Sequence, residues 1–151
     1  MLTLTRLLVV AALTLIASVG AAGAQTITVS GNPALLRISS AVAGSDPTSV
    51  TNAVTTYTVV TGTANKTYAI SMQLDANMPT GVTLTATLAT TTGATSLGAV
   101  ALDVTARQVI TGIKKNTNAT RAITYSLSAT AAAGVIPNTS RTVTLTIAQF
   151  P

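Results

Sequence analysis

From Thr26 onward, apolar and hydroxyl-bearing residues alternate along most of the chain. Thr26-Ile27-Thr28-Val29 sets the pattern, with two apolar side chains on one face and two hydroxyls on the other. The same rule governs Thr55–Thr61 (TTYTVVT), Thr67–Leu74 (TYAISMQL), Val82–Ala89 (VTLTATLA), Ala122–Ala129 (AITYSLSA) and Thr142–Ile147 (TVTLTI). A period of two places successive side chains on opposite faces of a strand, so each run predicts a strand with one buried and one solvated face. Threonine suits the outward positions, because its branched Cβ fits the pleat while its hydroxyl stays hydrated. Shorter runs at Ala99–Val104 and Gln108–Ile113 add two strands, and Ala34–Ser39 is a further candidate. The alternation puts Ile70, Leu74, Leu84, Leu88, Tyr125, Leu127, Val143 and Leu145 in the core.

Turn chemistry separates these runs. Gly31-Asn32-Pro33, Gly44-Ser45-Asp46-Pro47, Gly62–Asn65, Asn77–Gly81, Thr92-Gly93 and Pro137-Asn138 fall between them. Helical periodicity is absent after Thr26, and the density of Thr, Val and Ile disfavours it. About seven or eight short strands at roughly 10–15-residue spacing predict a single all-β domain, an antiparallel β-sandwich spanning residues 25–151. The long connection from Ser40 to Ala53 leaves room for a Greek-key crossing.

The amino terminus follows a different rule. Arg6 precedes an apolar stretch, Leu7–Val19, and Ala22-Gly23-Ala24 supplies small residues of the type a signal peptidase inspects. Thirteen apolar residues are too few for the ~20 that cross a bilayer as a helix. Residues 1–24 therefore read as a cleaved secretory signal, leaving a mature chain that begins at Gln25 and has no membrane anchor. The expected location is the bacterial periplasm or cell surface.

Composition narrows the chemistry. The chain of 151 residues is 48% hydrophobic and only 7% charged, with a net charge of +5. Cys, His, Trp and Glu are all missing, and the acids are Asp46, Asp75 and Asp103 alone. Disulfides, thiolate or imidazole metal sites and histidine-based catalysis are thereby excluded. A nucleophilic Ser or Thr would need a base, and the three aspartates lie apart in turns and at strand ends. Lys66, Lys114 and Lys115 sit beside Asn and Thr in polar loops, which argues against a Ser–Lys dyad. No calcium-type loop exists, because no two aspartates are close in sequence. Three matches to the N-glycosylation pattern (Asn65, Asn118, Asn138) are expected by chance in so Thr-rich a chain. No catalytic, cofactor or metal residues are expected, and the protein reads as a non-enzyme.

The basic residues cluster towards the carboxyl-terminal part, at Arg107, Lys114, Lys115, Arg121 and Arg141. With no aromatic interleaved in sequence, they read as solvated loop charges, not as a polyanion surface, and nucleic acid is not an expected partner. Tyr57, Tyr68 and Tyr125 all fall inside strand runs and are expected in the core.

Thr67-Tyr68-Ala69-Ile70-Ser71-Met72 resembles the "-YxVxL-" strand of the spore coat protein U domain family. Ile123–Ile147 is similar to that family's ending, in which a "YxxxxxIPAG" segment leads through a short turn into a terminal "TVTVTV" strand. Thr28–Pro33 resembles its opening. The family's disulfide near the first strands has no counterpart here, since the chain lacks Cys. The resemblance implies an immunoglobulin-like sandwich of the kind found in subunits of archaic chaperone–usher pili. It implies a secreted, non-enzymatic fibre, fimbrial or coat subunit that assembles by strand pairing, with itself or with a periplasmic chaperone as partner. The residues of that exchange would be Ile27 and Val29 on the donated strand, and Val143, Leu145 and Ile147 beside the groove. The alternative is a monomeric secreted binding module or adhesin that contacts extracellular polysaccharide, with Gln25–Ser30 paired inside its own domain.

Overall fold

The structure is a computed structural model that describes residues 25–39 and 44–150. The proposed signal segment and its cleavage point lie outside the described residues. Nine strands form in chain order: β1 (Thr26–Ser30), β2 (Val50–Val60), β3 (Thr67–Leu74), β4 (Val82–Leu88), β5 (Thr95–Ser96), β6 (Val100–Ala101), β7 (Arg107–Ile113), β8 (Asn118–Ala129) and β9 (Val143–Phe150). One short 3₁₀ turn, Ala131–Ala133, follows β8.

The strands make two antiparallel sheets, in the orders β1-β2-β8-β4-β6 and β5-β7-β3-β9. The all-β sandwich expected from the alternation is thus the observed fold. Six of its strands follow the order of a constant-type immunoglobulin sandwich, where one sheet runs A-B-E-D and the other C-F-G. Here β1-β2-β8-β4 take the places of A-B-E-D, and β3-β9 take those of C-F. The short strands β5 and β6, and β7 on the far edge of β3, are inserted between β4 and β8. Among the described residues, no strand fills the position of G beside β9.

The core lies between the sheets. Tyr57 and Val59 from β2, Ile70 and Met72 from β3, Val109, Ile110 and Ile113 from β7, and Ile123 from β8 are fully buried. Each large apolar side chain removed from water contributes roughly 1.5–3 kcal/mol, and this burial replaces the disulfides that the chain lacks. All three tyrosines are in the core, as expected. Tyr57 donates its hydroxyl to the carbonyl of Ala89 at 2.6 Å, so its polar end is satisfied.

Several sequence expectations are corrected. Ala34–Ser39 forms no strand. It has no ladder partner, with Leu36 packed at the margin of the core and Leu35 78% exposed. β2 begins at Val50, five residues before the alternation becomes legible, because its register with β8 shifts between Asn52 and Thr55. At that irregularity the Asn52 Oδ1 accepts the backbone N–H of Val54 at 3.2 Å, and Ala53 and Val54 both face solvent. Gly31 lies against the same place. It sits at φ +77°, and a Cβ there would come within 3.0 Å of the Val54 carbonyl, so this contact requires glycine. Ala99–Val104 contributes only the two-residue β6, although the Leu102 N–H still bonds the Leu84 carbonyl at 2.9 Å. Ile70, Leu74, Leu84, Leu88 and Tyr125 are buried as expected, but Leu127, Val143 and Leu145 are only half-buried. For Val143 and Leu145 the reason is positional: β9 pairs with β3 on one side only.

Candidate functional site

The residues singled out from the sequence converge on one side of the sandwich. β1 is the outermost strand of its sheet and β9 the outermost strand of the other, and the two pack against each other. β9 pairs in continuous register with β3, from Val143 opposite Leu74 to Phe150 opposite Thr67. Its inward residues Val143, Leu145 and Ile147 reach the core's edge but stay half-buried, while Thr144, Thr146 and Ala148 face out. The outer hydrogen-bonding edge of β9 has no strand partner among the described residues.

β1 is held in its own domain by pairing with β2, from Thr26 opposite Val60 to Ser30 opposite Thr56. Ile27 is half-buried and packs against the core, whereas Val29 is 50% exposed. Gln25–Ser30 is therefore self-paired in this structure, and one apolar side chain anchors it.

Each aspartate organises a loop. Asp75 Oδ1 accepts the backbone N–H groups of Ala76 at 2.9 Å and Thr142 at 3.0 Å, which joins the end of β3 to the start of β9. Asp46 Oδ1 accepts the N–H of Ala131 at 2.8 Å. Asp103 accepts the N–H of Thr105 and forms an ion pair with Arg107, and the Arg107 hydrogen bond holds its carboxyl below the usual carboxylate range. All three are exposed or half-exposed. No group of three His, Cys, Asp or Glu able to hold a metal occurs among the described residues.

Among the described residues, two buried hydroxyls lack a hydrogen-bond partner, Thr55 Oγ1 in β2 and Thr91 Oγ1 after β4. Sequence reasoning missed both, because a threonine at an inward position looks the same in the pattern as one that has found a partner.

The geometry defines a class: an immunoglobulin-like antiparallel sandwich whose last strand, among the described residues, has one open edge. No family model, curated protein or solved structure matches the chain.

Proposed function

We propose that the protein is a secreted, non-enzymatic structural subunit that assembles through β-strand addition at the open edge of β9. The observation that carries this reading is the unfilled strand position beside β9, fronted by the half-buried row Val143, Leu145 and Ile147. A strand laid there gains main-chain hydrogen bonds along its length and completes the burial of that row. The alternating Ile27 and Val29 of β1 suit such a groove, and β1 is held in its ladder from one side only, by β2. Transfer of β1 from its own β2 to the β9 of a second copy exchanges one ladder for another, with burial of the β9 row as the net drive. A periplasmic chaperone would offer a strand to the same edge before assembly. The segment at residues 1–24, of signal-peptide type, agrees with export to the periplasm or cell surface.

The test uses Ile27→Asp, which places a charge in the donor strand where an apolar pocket must receive it. In an assembling subunit, this variant loses polymers in size exclusion and electron microscopy, yet its domain still binds a synthetic peptide of residues 25–30. Wild-type protein that stays monomeric and ignores the peptide at high concentration overturns the reading. Ile27→Asp then acts only by lowering the melting temperature.

A further inference from the structure

Most charges among the described residues lie at one end of the sandwich or the other. Asp46, Asp75 and Asp103 all lie at the end where β3 and β8 finish, bonded to Ala131, Thr142 and Arg107. Arg141 at that end is engaged as well, since it donates to the Asn77 carbonyl at 2.8 and 3.0 Å. At the opposite end, where β3 begins and β9 finishes, Lys66, Lys114 and Lys115 line a depression of about 500 Å³. Arg121 lines a second depression of about 260 Å³ beside it, across the β7–β8 turn. With no Glu in the chain and every Asp at the far end, no carboxylate side chain opposes these four cations.

This end is built and not merely charged. Thr61 Oγ1 donates to the Lys114 carbonyl at 2.8 Å and accepts the N–H of Thr117 at 2.9 Å. The Asn116 N–H donates to the Gly62 carbonyl at 2.9 Å, with Asn116 itself at φ 55°. The turn that carries both lysines is thus fastened to the end of β2. The Lys114 side chain lies across Gly93, which sits at φ +77°. Phe150 shares the larger depression with the three lysines, together with the amides of Asn65 and Gln149. The smaller depression is walled by Asn116, Asn118 and Thr91, whose buried hydroxyl is one of the two without a partner.

We propose that this end of the sandwich binds an acidic polysaccharide. Its carboxylates meet Lys66, Lys114 and Lys115, one sugar face lies on Phe150, and the chain continues over the β7–β8 turn towards Arg121. Lysine is a compact point charge, suited to carboxylates dispersed along a flexible chain. The amides and hydroxyls between the cations are suited to sugar hydroxyls. Nucleic acid fits less well, because a single aromatic cannot form a platform for successive bases. A phosphate would favour a free guanidinium fork, and Arg121 already commits Nε to the Thr90 carbonyl and Nη1 to that of Thr120, both at 2.9 Å. The site lies within one copy of the chain, so it stands or falls separately from strand exchange.

Fluorescence anisotropy on the purified full chain tests this with three labelled probes: an oligogalacturonate, a neutral dextran oligomer and an oligothymidylate of matched charge. The oligogalacturonate should bind in low salt and the dextran should not. Lys66→Gln, Lys114→Gln and Lys115→Gln should each weaken binding about two- to fivefold, as expected for exposed ion pairs, and the triple variant should abolish it. Phe150→Ala should weaken binding while leaving its salt dependence unchanged, and Arg107→Gln at the far end should have no effect. Circular dichroism should show every variant folded, since the lysines are exposed. Absence of oligogalacturonate binding in low salt, undiminished binding by the triple variant, or an Arg107→Gln loss as large as that of a single lysine each overturns the proposal. Tighter binding of oligothymidylate than of oligogalacturonate overturns it in favour of nucleic acid.

Discussion

Thr55 is 1% exposed and its hydroxyl bonds nothing, so the folded state carries a polar group removed from water without compensation. Valine has nearly the same shape and no hydroxyl to desolvate. Thr55→Val should therefore raise stability by about 1 kcal/mol, read as a higher urea midpoint with an unchanged slope. The buried tyrosines make a second prediction. Burial pushes the Tyr57 phenol up to about 12, with Arg121 pulling more weakly the other way, and burial alone pushes Tyr125 up to about 12. In the unfolded chain both phenols ionise near 10. Below that pH both states keep their protons and stability is unaffected. Between about 10 and 12 only the unfolded state releases them, so stability falls with rising pH by up to about 1.4 kcal/mol per unit per tyrosine. Urea midpoints measured across this window should drop steeply, and Tyr125→Phe should flatten the drop. A midpoint independent of pH from 9 to 12 would show that the phenols ionise equally well in the folded state.

At the scale of elements, what the sequence reveals depends on whether alternation runs unbroken. β3 has the bounds that its pattern predicts, and β4 ends one residue earlier, because both alternate without interruption and pack against both neighbours. β2 hides its first five residues behind the irregularity at Asn52–Thr55, where two successive residues face solvent and the phase of the pattern slips. β8 starts four residues before its legible run, since its first turn-proximal pairs carry Asn118, Thr120 and Arg121, not an apolar face. β5 and β6, at two residues each, are too short to have a period. β9 shows a different limit. Its alternation fixes which side chains point inward, but a pattern within one strand says nothing of whether a neighbour covers them. Val143, Leu145 and Ile147 were assignable to a face from the sequence, and their half-burial was not.

At the scale of the whole molecule, the charged end was illegible because it is made by topology. Lys66, Lys114–Lys115 and Phe150 are far apart in the chain and meet only because Thr67 pairs with Phe150 and Tyr68 with Ile113. The same topology sets β1 and β9 at adjoining edges, and it makes the open edge testable within a single chain. A second copy of Thr26–Ser30, joined after Pro151 by a flexible Gly-Ser linker of about six residues, would run antiparallel back along the free edge of β9 with its Ile27 and Val29 beside Ile147 and Leu145. The tether raises the local concentration of that strand to roughly the millimolar range, so weak pairing suffices to fill the edge. Filling it covers Leu145 and Ile147, and each kcal/mol gained should appear as roughly 4 °C in the melting temperature. The extended protein should melt higher, stay monomeric, and no longer take up a peptide of residues 25–30. The same extension with aspartate in place of the copied Ile27 should leave the melting temperature where it was, because the inserted strand then lacks its apolar anchor. If both extensions shift the melting temperature equally, the gain comes from the added chain and not from the groove. If neither does, β9 is stable with its edge bare, and strand addition there is not how this protein assembles.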